Sequence, residues 1–150
     1  MFSFVIRYFG FLKFVPGLAL VFDNWLKIHT LLTRPDLLDW LDAIETEADK
    51  WENVTISTHK YGGTQFNYGG KEIGHIHSNG LLDMLLSRSI KQQLMQQGRI
   101  QDHHSFKNTG WISFYIHTKR DAGYALHLLQ IGHERLSKGS VSNICLPEAY

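Results

Sequence analysis

Residues 54–77 read VTISTHKYGGTQFNYGGKEIGHIH, and this stretch decides the fold class. Apolar and polar side chains alternate within three short runs, which is the period of a β-strand. Gly62-Gly63 and Gly69-Gly70 separate the runs and favour tight turns. Turns this short leave no room for a crossover connection, so we predict three consecutive antiparallel strands that end at His77.

Further elements are predicted on both sides of this stretch. Pro35 and the apolar spacing after it predict a helix over 35–50, capped by Thr33 or Arg34. After the three strands we predict, in order, a strand at 81–86, a helix at 89–97, a polar loop or short strand at 99–110, a strand at 111–117 and a helix at about 121–137. The predicted fold class is therefore α+β, a largely antiparallel sheet of about five strands with helices packed on it.

The composition excludes several classes of protein. The 150 residues suffice for one domain with its own core, and we divide them into an apolar helical arm (1–34), a domain (35–137) and a tail (138–150). The chain has one cysteine, Cys145, which excludes an internal disulfide framework and a cysteine-rich zinc module. The 15 Lys and Arg residues nearly balance the 14 Asp and Glu residues, so we expect no nucleic-acid partner.

The N-terminal arm is apolar but interrupted. Arg7, Lys13 and Pro16 break the apolar run, which argues against a membrane-spanning helix and against a secretory signal. We therefore expect a cytoplasmic protein. Two interpretations of the arm stay open: it packs on the domain or on a second subunit, or residues 1–30 lie on a membrane surface.

Histidine is the unusual component, because five of the nine histidines fall between residues 59 and 104. In a strand, residues two apart point to the same side. Ile73, His75 and His77 are therefore predicted to share one face of the sheet, with Glu72 on the other. The two histidines lie roughly 7 Å apart at Cα in this arrangement, so both rings can converge on one small species.

Two later segments can join this pair. His103-His104 lies in a loop that can close over the sheet face, and Asp83 on the next strand can pair with a histidine and fix its tautomer. Three interpretations stay open. The histidines bind a metal with one open position, or one of them acts as a general base without metal, or they only hydrogen-bond the structure.

The strand at 111–117 carries an amphipathic aromatic face that includes Trp111, Ser113 and Tyr115. This face is either sheet surface covered by the arm or a stacking wall for a flat ligand. His117 on the same face is left undecided, and structural roles are assigned to the remaining histidines, which are His29, His59, His127 and His133.

Residues 51–135 resemble the luciferase-like domain of fungal bioluminescent luciferases and of many uncharacterised bacterial proteins. The motifs that carry the resemblance are Tyr61-Gly62-Gly63-Thr64-Gln65-Phe66, Lys71-Glu72-Ile73-Gly74-His75-Ile76-His77, Gly80-Leu81-Leu82-Asp83, Gly98 with His103-His104, and Gly110-Trp111-Ile112-Ser113-Phe114. The resemblance implies oxidation of a hydroxylated pyrone by molecular oxygen without metal or flavin. The chain departs from the fungal enzymes at Ser78-Asn79-Gly80, where they carry further histidine.

We therefore predict an oxygenase-like enzyme that needs no cofactor and acts on a small aromatic or enolic molecule with molecular oxygen. The catalytic residues are predicted to be Glu72, His75, His77 and His103. The substrate-binding residues are predicted to be Asp83, His104, Trp111, Ser113 and Tyr115. Two alternatives stay open, namely a non-catalytic ligand-binding or membrane-peripheral module, and a metal-dependent enzyme that holds zinc or iron at His75, His77 and His103.

Overall fold

The computed structural model describes residues 18–103 and 105–138. Within them the elements are, in chain order, α1 (Leu18–Thr33), α2 (Pro35–Ala48), β1 (Val54–Thr58), β2 (Thr64–Tyr68), β3 (Lys71–Ile76), β4 (Leu81–Leu85), α3 (Arg88–Gln96), β5 (Gln101–Asp102), β6 (Trp111–Tyr115) and α4 (Lys119–Ser137). The predicted α+β class is confirmed. Residues 1–17 of the arm and 139–150 of the tail, with Cys145, lie outside the described residues.

All neighbouring strands of the sheet are antiparallel, in the order β1-β2-β3-β4-β6-β5. The sheet has one strand more than the five that we predicted, and this additional strand is β5. Its two residues pair with Ser113 and Ile112 of β6. It lies in residues 99–110, which we predicted to form either a polar loop or a short strand.

Capping explains where the helices begin. The Ser87 hydroxyl accepts a hydrogen bond from the backbone N–H of Ile90 and so starts α3, as predicted. Helix α4 begins two residues before the predicted position, because Thr118 and Asp121 form a capping box. Helix α2 begins after Arg34, whose side chain makes no capping hydrogen bond.

The core lies between one face of the sheet and the helices α2 and α4. Helix α4 packs on β2, β3 and β4 and also contacts α2. The fully buried side chains include Phe66, Ile73, Leu82, Met84 and Ile112 from the sheet and Leu37, Leu128, Leu129 and Ile131 from the helices. This layer occupies one side of β3 and β4, so their polar side chains are left to the other side.

A β-bulge on β3 changes which side chains face each other. Asn67 pairs with Glu72, whereas Phe66 pairs with Gly74, so Ile73 is an extra residue on β3. Ile73 packs against Gly132 of α4, and Glu72 lies on the same side of the sheet as His75. The prediction that Ile73 shares the face of His75 and that Glu72 lies opposite is therefore wrong, because the bulge interrupts the two-residue period.

Candidate functional site

The centre of the polar sheet face is a carboxylate surrounded by imidazoles. His75 on β3 pairs with Asp83 on β4, and Asp83 pairs with Ser113 on β6. The Asp83 Oδ2 atom lies 3.9 Å from His75 Nε2, 3.7 Å from His77 Nε2 and 3.8 Å from His103 Nε2. Three of the predicted catalytic residues therefore converge on one predicted substrate-binding residue. We call Asp83 with these three histidines the histidine–carboxylate cluster.

Asp83 is ionised although its side chain is only 1% exposed. Burial alone would raise the pKa of this carboxyl group, but hydrogen bonding by His77 and Ser113 and the positive charges of His103 and His77 hold the pKa below its usual value. The Ser113 hydroxyl donates a short hydrogen bond to Oδ1.

Glu72 orients His75 from the other side. The Glu72 Oε1 atom lies 2.6 Å from His75 Nδ1, and this hydrogen bond lowers the pKa of Glu72 against the opposing effect of burial. The ionised carboxylate can only accept, so Nδ1 of His75 carries the proton. Nε2 is the ring atom of His75 that faces Asp83, and it carries no proton in the neutral ring.

His103 reaches the cluster from the segment between β5 and β6. The backbone N–H of Ser105 donates to His103 Nδ1 at 3.1 Å. In the neutral ring the proton therefore sits on Nε2, which faces Asp83. His104 lies outside the described residues.

His59 also belongs to this region, although we predicted a structural role for it. Its ring stacks on that of His75, with centroids 3.8 Å apart and planes 7° apart. Burial, followed by the neighbouring charge of His75, lowers the pKa of His59 to about 4. The sequence held a signal for this position, because His59 continues the Thr55 and Ser57 face of β1.

An aromatic group covers the His103 side of the cluster. Trp111 lies 5.7 Å from His103 and 6.2 Å from His75 between ring centroids. Phe106, which sequence analysis missed, stacks on His103 at 5.0 Å and is 52% exposed. Tyr115 lies on the same strand face as Trp111, and burial followed by the Asp83 charge raises its pKa.

A buried lysine holds the segment that carries His103 and Phe106. Lys91 of α3 is 8% exposed, and its Nζ donates to the backbone carbonyls of Lys107, Thr109 and Trp111 at 2.9–3.0 Å. It also forms an ion pair with Asp102. Nothing in the sequence distinguishes Lys91 from the exposed lysines, because its partners are backbone atoms of another segment.

Two sets of described residues bring possible metal-binding atoms within 4.8 Å of one another. The set of His59, Glu72 and His75 is a poor metal site, because the two rings stack face to face and their in-plane lone pairs cannot point at one ion. The second set is His75, His77 and Asp83. His103 belongs to neither set, so the geometry favours Asp83 over His103 as the third ligand.

The remaining histidines lie elsewhere. His133 Nε2 lies 3.2 Å from the backbone carbonyl oxygen of Glu52, and the ring packs on Trp51 and Tyr68. Burial lowers the pKa of His127. His117 stacks on Tyr115 with centroids 5.8 Å apart, and His29 stacks on Trp25. None of these four histidines contacts Asp83 among the described interactions.

A separate cleft of about 590 Å³ lies where helices α1 and α2 meet β1–β3. Its lining includes Asp23, Lys27, Glu45 and Thr64, and none of the predicted site residues. The histidine–carboxylate cluster is nearly closed instead, with His75 and His103 exposed by 7% and 6%. We place the candidate site at the cluster because its chemistry, rather than open volume, distinguishes it.

In residues 18–103 and 105–138, no helix is both long enough and apolar enough to cross a bilayer.

Residues 70–132 match the family model of the Luciferase domain. No curated protein and no solved structure matches the chain significantly. The matched residues run from the turn before β3 into α4, and they include Glu72, Asp83 and the three histidines of the cluster. The match covers the part of the chain that builds the histidine–carboxylate cluster, and it agrees with the resemblance carried by the motifs.

Proposed function

We propose that this luciferase-like domain is an oxygenase-like enzyme that oxidises a small aromatic or enolic molecule with molecular oxygen. The observation that carries the proposal is the convergence of His75, His77 and His103 on the buried Asp83 carboxylate. Clusters of buried titratable groups with displaced pKa values are typical of sites that move protons.

The proposed reaction begins with proton transfer. Nε2 of His75 accepts the acidic proton of the substrate, and Glu72 stabilises the imidazolium through Nδ1–H. The electron pair stays on the substrate as an enolate or carbanion, which forms a C–O bond with molecular oxygen. The resulting peroxide anion regains a proton from an imidazolium. Oxygen is the oxidant, so this form of the reaction needs no cofactor.

Substrate binding is proposed on the aromatic side of the cluster. Trp111 and Tyr115 offer ring surfaces next to His103 and Asp83, which suits a flat ligand. His104 is retained as a proposed substrate contact. Asp83 and Ser113 are buried, so we propose that they act on the substrate through the histidines.

The proposal is tested by oxygen consumption with a panel of enolic aromatic compounds, beginning with hydroxylated pyrones. We expect His75→Gln to lower the rate at least 100-fold, in line with the loss of a general base. His29→Gln on α1 is the matched control and keeps the rate. Equal oxygen uptake by His75→Gln and the parent protein, with folding retained, would refute the proposal.

A second candidate function is a membrane-peripheral module, and the surface of α1 favours it. Val21, Trp25, Ile28 and Leu32 are 48–78% exposed, and their spacing places them on one side of the helix. Flotation on anionic lipid vesicles tests this candidate. We expect binding that Ile28→Gln with Leu32→Gln abolishes and Met95→Gln on α3 leaves unchanged. A full chain that stays with the unbound fraction would eliminate this candidate.

A further inference from the structure

We infer that His75, His77 and Asp83 form a three-ligand site for one divalent first-row transition ion such as Fe²⁺ or Zn²⁺. The inference goes beyond the proposed function, on whose choice of site it rests, because an ion bound to Nε2 of His75 would occupy the atom to which that function assigns proton transfer. Two imidazoles and one carboxylate, with further positions open, are the ligand set of non-haem iron oxygenases and of several catalytic zinc sites. This ligand set replaces the His75, His77 and His103 set that the sequence suggested.

The distances among the three ligand atoms carry the inference. His75 Nε2 and His77 Nε2 lie 3.9 Å and 3.7 Å from Asp83 Oδ2, and one possible ligand atom from each of the three residues lies within 4.8 Å of the other two. Metal–ligand bonds of about 2.0–2.1 Å at tetrahedral angles place ligand atoms about 3.3 Å apart. The two distances to Asp83 Oδ2 exceed this spacing by about half an ångström, so a small closure of the cluster would suit one shared ion.

The orientation of the rings agrees with a shared ion. The planes of His75 and His77 stand at 88° to each other with centroids 5.0 Å apart, so one ion can lie in both ring planes. The stacked pair of His59 and His75 has no such arrangement.

The groups behind the ligands are those that metal sites use to orient their ligands. Glu72 accepts the Nδ1–H of His75, which leaves Nε2 unprotonated for an ion. Ser113 donates to Oδ1 of Asp83, so Oδ2 is the oxygen that is left for the metal. A carboxylate behind a histidine ligand and a hydrogen bond on the second oxygen of a carboxylate ligand are both common around metal centres.

His103 Nε2 also lies 3.8 Å from Asp83 Oδ2, but His103 is not in the set of residues whose possible ligand atoms all lie within 4.8 Å of one another. Ser105 donates to its Nδ1, so Nε2 carries a proton in the neutral ring. His103 is therefore placed to donate a hydrogen bond toward Asp83 Oδ2 or toward a molecule that occupies an open position of the ion. This assignment predicts different effects for substitutions of His77 and His103.

The test uses Co²⁺ as a spectroscopic probe on the full chain, purified without a histidine tag and treated with a chelator. We expect one equivalent to bind per chain, with visible absorption bands of the bound ion and a matching calorimetric titration. His77→Gln, at the more exposed of the two histidine ligands, is expected to raise Kd at least 100-fold. His103→Gln and the control His29→Gln are expected to keep the one-to-one stoichiometry.

Three results would overturn the inference: no saturable binding, binding that His77→Gln leaves unchanged, or binding that His29→Gln removes. Asp83→Asn is the second ligand variant, and circular dichroism shows whether each variant is folded. Oxygen uptake by a chelator-treated protein that shows no saturable Co²⁺ binding would overturn the metal site and leave the proposed function standing. Stoichiometric metal binding without any oxygen uptake would overturn the proposed function and leave the metal site standing.

Discussion

The imidazole of His59 lies flat on the imidazole of His75, with 3.8 Å between ring centroids. His59 directly follows β1 and His75 lies on β3, and these strands are not neighbours in the sheet, so the contact crosses β2. His59 thereby shields the catalytic candidate His75 from solvent. Burial, followed by the nearby charge of His75, lowers the pKa of His59 to about 4, so the His59 ring is neutral at neutral pH.

The first prediction concerns stability against pH in chelator-treated protein. Between pH 6.5 and 4, His59 is protonated in the unfolded chain and neutral in the folded chain. The free energy of unfolding is therefore highest above pH 6.5 and falls as the pH decreases toward 4. The lowered pKa corresponds to a loss on the order of 3 kcal/mol. His59, Glu72, His75, His77 and Lys60 are the titratable groups that face one another here.

Urea unfolding at several pH values measures this loss. His59→Phe keeps an aromatic ring against His75 and should flatten the dependence between pH 6.5 and 4.5. The lowered pKa values of Glu72 and Asp83 act at lower pH, where protonation of these carboxylates destabilises the fold. A His59→Phe protein with the parent slope above pH 4.5 would contradict the prediction.

The second prediction concerns the proton on His75. Glu72→Ala removes the acceptor of Nδ1–H, so the ring loses its preference for that tautomer. Long-range ¹H–¹⁵N correlation spectra should show a proton on Nδ1 in the parent and a mixture in the variant. Stability should fall by about 1–3 kcal/mol.

Glu47→Ala is the matched control for this substitution. Its carboxylate pairs with the exposed Lys50 and should contribute within about 0.5 kcal/mol. An unchanged His75 tautomer in Glu72→Ala would show that another group fixes the ring.

The third prediction concerns Lys91. Lys91→Met leaves the carbonyls of Lys107, Thr109 and Trp111 without their donor and leaves Asp102 without its ion-pair partner. We expect a loss of about 1–3 kcal/mol, because the partly buried carbonyl groups lose a charged hydrogen-bond donor.

Hydrogen exchange locates the effect of this substitution. Amides of residues 105–111 should lose protection before those of α4, and the His103 ring signals should shift. Lys107→Met, at an exposed lysine of the same segment, should leave both unchanged. Uniform loss of protection over the whole domain would contradict a local role for Lys91.

The fourth prediction compares two glycines of α4. A Cβ atom on Gly123 meets nothing within 4 Å, so Gly123→Ala should stabilise the helix by about 0.5–1 kcal/mol. A Cβ atom on Gly132 would lie 2.7 Å from Ile73 Cγ2 and 2.9 Å from Met84 Cε. Gly132→Ala should therefore destabilise the protein by about 1–3 kcal/mol despite the gain in helix propensity.

Thermal unfolding of the two variants under one condition checks the opposite signs. Because Ile73 is the bulged residue, Gly132→Ala should also disturb the hydrogen bond between Glu72 and His75. Equal effects of the two substitutions would mean that β3 does not pack against α4 as described.

The sequence by itself determined the local structure. Alternating side chains predicted β1, β2, β3 and β6, glycine pairs predicted the turns, and Ser87 predicted the start of α3. It also identified candidate site residues that the structure places next to one another, namely His75, His77, His103, Asp83 and Ser113. These features depend on neighbours a few residues apart, so their signals are written in short stretches of sequence.

Only the tertiary structure decided which atoms of the cluster face each other. The bulge at Ile73 places Glu72 on the same side of the sheet as His75. The strand register places Asp83 opposite His75. The packing of α3 brings Lys91 into contact with the segment that carries His103. His59 and Phe106 entered the site in the same way. Such contacts join residues distant in sequence, and their geometry follows from register and packing, which no local period specifies.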